Sequence, residues 1–412
     1  MDIRTALAPP ARRVGSPRVW GIDIARFLAL AGMMMAHVWQ MNTDGSASVL
    51  YPFVSGRAAA LFAVLAGVGI SLTTHTDLAA GRFGAARAAV FGRGMALIVL
   101  GLTLGLMPSG PFIILAYYGV LFWVLVPLLR VPSPILLTLA GVLALAWPPV
   151  SMMVRTGLPP FELGSPSWLS LADPAMLFRG LFLTGIYPVP TWIVYALVGL
   201  VVGRAVRAAT DTGAVQRLAW RMTAIGAAST LVAWGVVRAI AEPTIAGIAE
   251  RLHADPATVT SLYFGDSYGT VFAGDSAMLL SPSAHSGTTL DLALTVGIAL
   301  AVLGLCLLLG TVLSARVRRV FEPLRRAGAA PLTIYALHGT AVGIAMLIAQ
   351  GNGNGPLQWY TEGAGIWALN VAGALLIGTI LMITDRRGPL EAAVTWTGRQ
   401  VSRPWRRAAV PA

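Results

Sequence analysis

Residues 21–38 form an apolar run that nevertheless carries Asp23, Arg26 and His37. At about 100° per residue, Arg26 and His37 fall within roughly 20° of each other on a helix, and Asp23 lies within roughly 40° of His37. One helix face therefore holds an acid, a guanidinium and an imidazole. At ~1.5 Å per residue the imidazole stands ~16 Å beyond the guanidinium, while Asp23 and Arg26 have the i, i+3 spacing of an ion pair. Ionisable groups within a membrane span mark a cavity or a substrate path, because hydrocarbon solvates them so poorly.

Two further histidines invite the same reading. His285 sits in the polar, turn-forming stretch 281–291, and His338 about ten residues into the run 329–350. With His37 they map to the outer half or outer surface of the protein. A neutral imidazole, with a reference pKa of about 6.5, can take a proton from a hydroxyl or amine near neutrality, so His37, His285 and His338 are candidate catalytic residues. Hydrogen bonding inside a helix bundle is the competing use of each. His75 and His253 read as interfacial and solvated. Neither an i, i+4 histidine pair nor a carboxylate-rich cluster accompanies these residues, so no metal is expected. A Gly-x-Ser-x-Gly elbow, a Walker phosphate loop and an HxxxxD signature are all missing, which disfavours lipase chemistry and ATP-driven transport.

Around these, Arg57 precedes a span on the outer side, against the usual charge bias, and suits an anionic group or an acidic partner. Tyr117, Tyr118 and Tyr187 lie near proposed outer surfaces. They belong to an aromatic belt or, with Arg57, contact a substrate.

The elements that hold these residues follow from composition. Over 412 residues, 56% are hydrophobic and 11% charged, and the mean hydropathy is +0.74. No soluble surface can be covered with so little charge, so the chain reads as an all-α polytopic membrane protein. Runs long enough for a core of about 30 Å occur near 21–42, 57–75, 93–107, 112–129, 134–150, 181–203, 221–240, 291–314, 329–350 and 364–384, which predicts a bundle of about ten transmembrane helices.

The net charge of +12 comes from 29 arginines with no lysine. With a cytoplasmic N-terminus, every arginine except Arg57, Arg155, Arg179, Arg238 and Arg251 falls on the inner side, including the clusters Arg12–Arg13, Arg316–Arg319 and Arg386–Arg387 through Arg406–Arg407. Both termini are therefore expected in the cytoplasm, the arginines serving anionic lipid head groups rather than nucleic acid. The expected organisation is a cytoplasmic tail at 1–20, a transmembrane domain at 21–384 with outer segments 151–180 and 241–290, and a basic cytoplasmic tail at 385–412. The stretch 246–253 reads as a short separate helix. Cys306, the single cysteine, lies in an apolar run and rules out a disulfide framework. The N-terminus has a signal-peptide outline, but Asp23, Arg26 and His37 would fall in its apolar region, so cleavage is not expected.

In their order along the chain, several short motifs resemble one family. Residues 22–26, Ala31–Gly32 and His37, then Ser55–Arg57 and 61–67, are similar to the opening two spans of the YeiB-type and heparan-α-glucosaminide N-acetyltransferase-like membrane proteins. Stretches 115–119, 184–188, 285–287, 332–338 and 388–391 resemble landmarks of the bacterial branch, so nearly the whole chain is covered. The resemblance implies an acyl-CoA-dependent transmembrane acyltransferase of the inner (cytoplasmic) membrane. Its donor is cytoplasmic acyl-CoA, acetyl-CoA above all, and its acceptor an extracytoplasmic sugar, glycan or glycolipid. In the heparan enzyme the histidine held to be catalytic follows the first span. Residues 43–55 here contain none, and the role is carried to His37, where family members have Asn or His. Asp23 and Arg26 then become the donor-binding pair. A transporter or exporter of a small polar or lipid-linked solute is the competing reading, and a homo-oligomer is compatible with either.

Overall fold

The structure is a computed structural model that describes residues 17–42, 44, 46–107, 110–159, 161–162, 164–351 and 358–407. The Arg12–Arg13 pair, Pro160 of the 151–180 segment and most of the 1–20 tail lie outside the described residues. The helices, in order, are α1 (Pro17–Val38), α2 (Tyr51–Val54), α3 (Arg57–Ala79), α4 (Phe83–Leu104), α5 (Leu115–Leu125), α6 (Ser133–Val154), α7 (Pro174–Arg179) and α8 (Val189–Ala208). They continue as α9 (Thr212–Leu252), α10 (Pro256–Phe264), α11 (Thr289–Val312), α12 (Ala315–Val320), α13 (Glu322–Gly328), α14 (Pro331–Gly351), α15 (Ala364–Thr384) and α16 (Pro389–Arg407). No strand forms among the described residues, and an isolated bridge joins Met41 and Ala47.

Nine stretches among the described residues are long and apolar enough to cross a membrane. The tenth expected run forms α5, which Pro127 converts to a 3-10 turn at Val126–Arg130 because its ring removes the N–H an α-helix needs. Together they extend about 26 Å, close to the hydrocarbon thickness. The run expected at 181–203 is realised later, as α8. Ahead of it α7 passes into a π turn at Gly180–Thr184.

The spans pack through small residues, as expected where lipid offers no hydrophobic drive for association. At Gly199 of α8 an added Cβ would lie 2.0 Å from the Val64 carbonyl oxygen of α3, and at Gly67 of α3 it would lie 2.2 Å from the Ala196 carbonyl oxygen. These reciprocal contacts fix the α3–α8 crossing by backbone approach. Outward, α9 presents Leu231, Val232 and Ile225 exposed, an apolar surface suited to acyl chains.

Helix α9 has 41 residues and so runs about 62 Å, twice the hydrocarbon thickness. It absorbs 246–253, expected as a separate helix, and ends with His253 in the left-handed region. Its projecting end packs Ile245, Ile248 and Ala249 against Val259, Tyr263, Val271 and Met278, and Arg251 pairs with Asp275 at 2.7 Å. This apolar cluster, with α10, carries the segment between α10 and α11 over the end of the bundle that holds His37.

At the other end, amphipathic α16 lies across α4, with Trp405 against Gly84 and Val401 against Gly92. Arg406 pairs with Asp77 at 2.7 Å, and Trp396 stays exposed. Arg82, Arg93, Arg325, Arg326 and Arg399 gather on this end, called here the basic side.

Candidate active site

Helix α1 carries site residues at both ends. Near its C-terminus His37 lines a cavity of about 200 Å³, on the side away from the arginines, together with Ser55, Tyr187, Asp266, Tyr268 and His285. His37 Nδ1 is 3.0 Å from His338 Nε2, and His338 Nδ1 is 2.9 Å from Asn370 Oδ1. The two rings lie 9° from parallel with centroids 5.3 Å apart, the geometry of edge-to-edge imidazoles sharing a nearly in-plane N–H···N bond.

The bond pattern assigns the protons. Asn370 Nδ2 donates to the Ile366 carbonyl at 2.8 Å, which turns Oδ1 toward His338. Asn370 Oδ1 can only accept, so His338 Nδ1 carries the proton and His338 Nε2 is an acceptor. His37 Nδ1 then donates, and His37 Nε2 keeps its lone pair. His338 is buried, with 4% exposed, whereas His37 is reached from the cavity. The arrangement gives one basic nitrogen held in a fixed tautomer.

Asp266 lines the same cavity. It accepts from Ser55 Oγ at 2.6 Å and from the Tyr51 hydroxyl. His285 packs against the adjoining rings of Tyr187 and Trp192, with ring centroids at 6.0 Å and 6.5 Å. Its φ of 60° places a non-glycine residue in the left-handed region, a strained conformation typical of functional sites. Burial holds the His285 imidazole below the usual histidine range; Asp266 opposes that shift and Arg57 adds to it.

On the basic side a second cavity of about 270 Å³ is lined by Arg26, Arg93, Thr73 and Glu391, with apolar walls from Phe62, Leu97 and Leu332. Asp23 bridges Arg26 at 2.9 Å and Arg325 at 3.0 Å, so the Asp23–Arg26 pair expected from spacing is joined by a second guanidinium. Arg93 donates to Thr73 Oγ1 at 2.5 Å and has no carboxylate in ion-pair contact among the described residues. Glu391 of α16 caps α14, accepting from Leu332 N at 2.5 Å and Thr333 N at 3.1 Å.

Tyr335 lines both cavities. Its hydroxyl accepts from Ile114 N at 3.2 Å and donates to the Phe112 carbonyl at 3.3 Å, which pins it to the chain entering α5. A single aromatic ring thus stands where the two cavities meet.

Of the residues singled out by sequence, His37, His285 and Tyr187 converge on one cavity, with His338 behind His37. Arg26 lines the other, and Asp23 anchors it. Tyr118 also lies on the basic-side cavity, its hydroxyl donating to the Ala59 carbonyl at 3.4 Å. Tyr117 lines neither cavity; it packs edge-on to Tyr187 with centroids 5.5 Å apart. Arg57 also stays outside both linings, and its Nη1 donates to the Ser55 carbonyl at 2.9 Å. Asp266, Tyr335, Arg93 and Glu391 complete the two cavities, and Asn370 stands behind His338; none of them was singled out from sequence as a site residue. Asn370 left a signal, an amide within an otherwise apolar span.

The family model for heparan-alpha-glucosaminide N-acetyltransferase, catalytic, matches residues 18–237. The chain belongs to that family. It is accordingly a multi-pass membrane protein of a transmembrane acetyltransferase family. The match takes in Asp23, Arg26, His37, Arg93 and Tyr187, while Asp266, His285, Tyr335, His338 and Asn370 follow it in the chain. No curated protein matches the sequence.

Proposed function

We propose that the protein transfers an acyl group, acetyl in the family's usual case, from acyl-CoA in the basic-side cavity to a hydroxyl or amine of a sugar-like acceptor in the opposite cavity. The observation that carries this reading is the His37–His338–Asn370 chain, which presents a basic nitrogen to one cavity from the same helix that presents Arg26 to the other. The donor's phosphates pair with Arg26 and Arg93, guanidiniums being suited to phosphate oxygens. Its pantetheine arm runs along the apolar wall toward Tyr335. Asp266 and the aromatic rings of Tyr187 and Tyr268 offer the carboxylate and apolar faces that bind a sugar ring.

In the reaction, the acceptor oxygen or nitrogen attacks the thioester carbonyl carbon, and its proton passes to His37 Nε2. The carbon–sulfur bond breaks and the CoA sulfur leaves as thiolate, which regains a proton to become the free thiol. Imidazolium formed at His37 is stabilised through Nδ1–H···Nε2 of His338, itself oriented by Asn370. Asp23 keeps Arg26 in place, and His285 orients the acceptor beside Asp266. The arginine-rich side faces the cytoplasm of a bacterial inner membrane, as the charge bias favours.

Purified protein in lipid discs, given acetyl-CoA and amino-sugar or glycan acceptors, is expected to release CoA in step with acylated product. Solute flux in vesicles without acylated product would favour a transporter instead. For orientation, Ser261→Cys in a Cys306→Ala background should react with an impermeant thiol reagent in intact cells and Arg403→Cys should not, since both positions are exposed at opposite ends. Ser402, adjacent to Arg403, is fully buried and unsuited to the test.

A further inference from the structure

Arg155, at the C-terminal end of α6, is 4% exposed. Its Nε donates to Ser151 Oγ at 3.2 Å and its Nη2 to the Val271 carbonyl at 3.1 Å. No carboxylate pairs with it among the described residues. A buried guanidinium without a counter-charge is costly, and burial pushes Arg155 down to about 10.

The same residue lines an interior pocket of about 10 Å³ with Trp147, Thr191, Thr270 and Gly287. Trp147 Nε1 is buried with no hydrogen-bond partner. An indole N–H can only donate, as can a guanidinium, so two groups without acceptor capacity line one small space. Asp291, the carboxylate of the adjoining pocket, accepts from Gly287 N at 3.0 Å and forms no ion pair with Arg155. The volume admits one water-sized or monatomic particle and is too small for phosphate or sulfate.

We propose that this pocket binds a single halide-sized inorganic anion, chloride in the cell, held by Arg155 and the Trp147 Nε1–H. The anion neutralises the stranded guanidinium and ties α6 to the segment between α10 and α11. That segment contributes Val271 and Gly287 to this neighbourhood and Asp266 and His285 to the acceptor-side cavity. Halide therefore acts on the acceptor-side cavity by fixing the loop that carries two of its side chains.

The test is a thermal-unfolding titration of the full-length protein in detergent, from halide-free gluconate buffer into chloride, bromide or iodide at constant ionic strength. The wild-type melting temperature is expected to rise saturably with each halide. Trp147→Phe, which removes the donor and keeps an aromatic ring, is expected to raise the halide midpoint about tenfold, the worth of one charge-assisted hydrogen bond. Arg155→Gln is expected to abolish the response; if that variant does not fold, Trp147→Phe decides alone. Halide-dependent quenching of tryptophan fluorescence should shrink in Trp147→Phe. Identical melting temperatures in gluconate and halide, or a Trp147→Phe midpoint equal to wild type, would mean that the pocket holds water and would overturn the proposal.

Discussion

His37 and His338, 301 residues apart in the chain, share one N–H···N bond of 3.0 Å. The direction of that bond is set from beyond the pair, by Asn370 accepting from His338 Nδ1. The tautomer of the cavity-facing imidazole is thus decided two side chains away. Asn370→Leu, which cannot accept, is expected to lower kcat on the order of 10²-fold while leaving the KM for acyl-CoA unchanged. Asn370→Asp, which restores an acceptor, should recover much of the rate and move the acidic limb of the pH–rate profile downward in proton concentration, to higher pH. Steady-state kinetics across pH checks both variants, and a Leu variant with wild-type kcat would remove the positioning role.

Asp23 neutralises two guanidiniums, Arg26 and Arg325, while itself buried. Asp23→Ala leaves both without their shared carboxylate and should destabilise the protein by about 3–5 kcal/mol, the usual penalty for breaking a buried ion pair. Arg26→Gln, with Asp23 still paired to Arg325, should cost less in stability and more in donor affinity. Thermal unfolding and acyl-CoA binding, measured on the same preparations, separate the two effects.

Tyr335 is common to both cavities. Tyr335→Ala should join them and expose the thioester to water, raising acyl-CoA hydrolysis in the absence of acceptor several-fold over wild type. Tyr335→Phe keeps the ring and should stay near the wild-type hydrolysis rate. CoA release without acceptor is the readout.

Burial keeps His285 neutral in the fold, and its imidazole titrates below the usual histidine value. The unfolded chain takes up that proton near pH 6.5. The stabilisation is therefore present above that pH and is lost as pH falls toward the depressed folded value. The melting temperature should decline from about pH 6.5 downward, and His285→Asn should flatten the decline. A profile of equal slope in the variant would assign the acid sensitivity elsewhere.

The spans were legible because each is a contiguous apolar run of membrane length, and Asp23–Arg26 because an i, i+3 pair is local. The long reach of α9 was not, since Pro243 interrupts the pattern that sequence offers. Packing of Ile245 and Ile248 under α10 holds the helix through it. Tyr117 and Tyr118 read alike in sequence, yet neighbouring residues on a helix point about 100° apart, so only Tyr118 reaches a cavity. Asp266 looked like one acid among several in an outer segment. Its meeting with Tyr51 and Ser55 depends on contacts over more than 200 positions, which no local pattern encodes.

The most direct measurement is single-turnover acetyl transfer from radiolabelled acetyl-CoA by His37→Gln beside wild type, with donor binding measured on the same samples. General-base catalysis by His37 requires a loss of about 10²–10⁴-fold in the transfer rate, with acyl-CoA binding unchanged because the donor cavity lies at the other end of α1. A folded His37→Gln protein that transfers acetyl at the wild-type rate would contradict it.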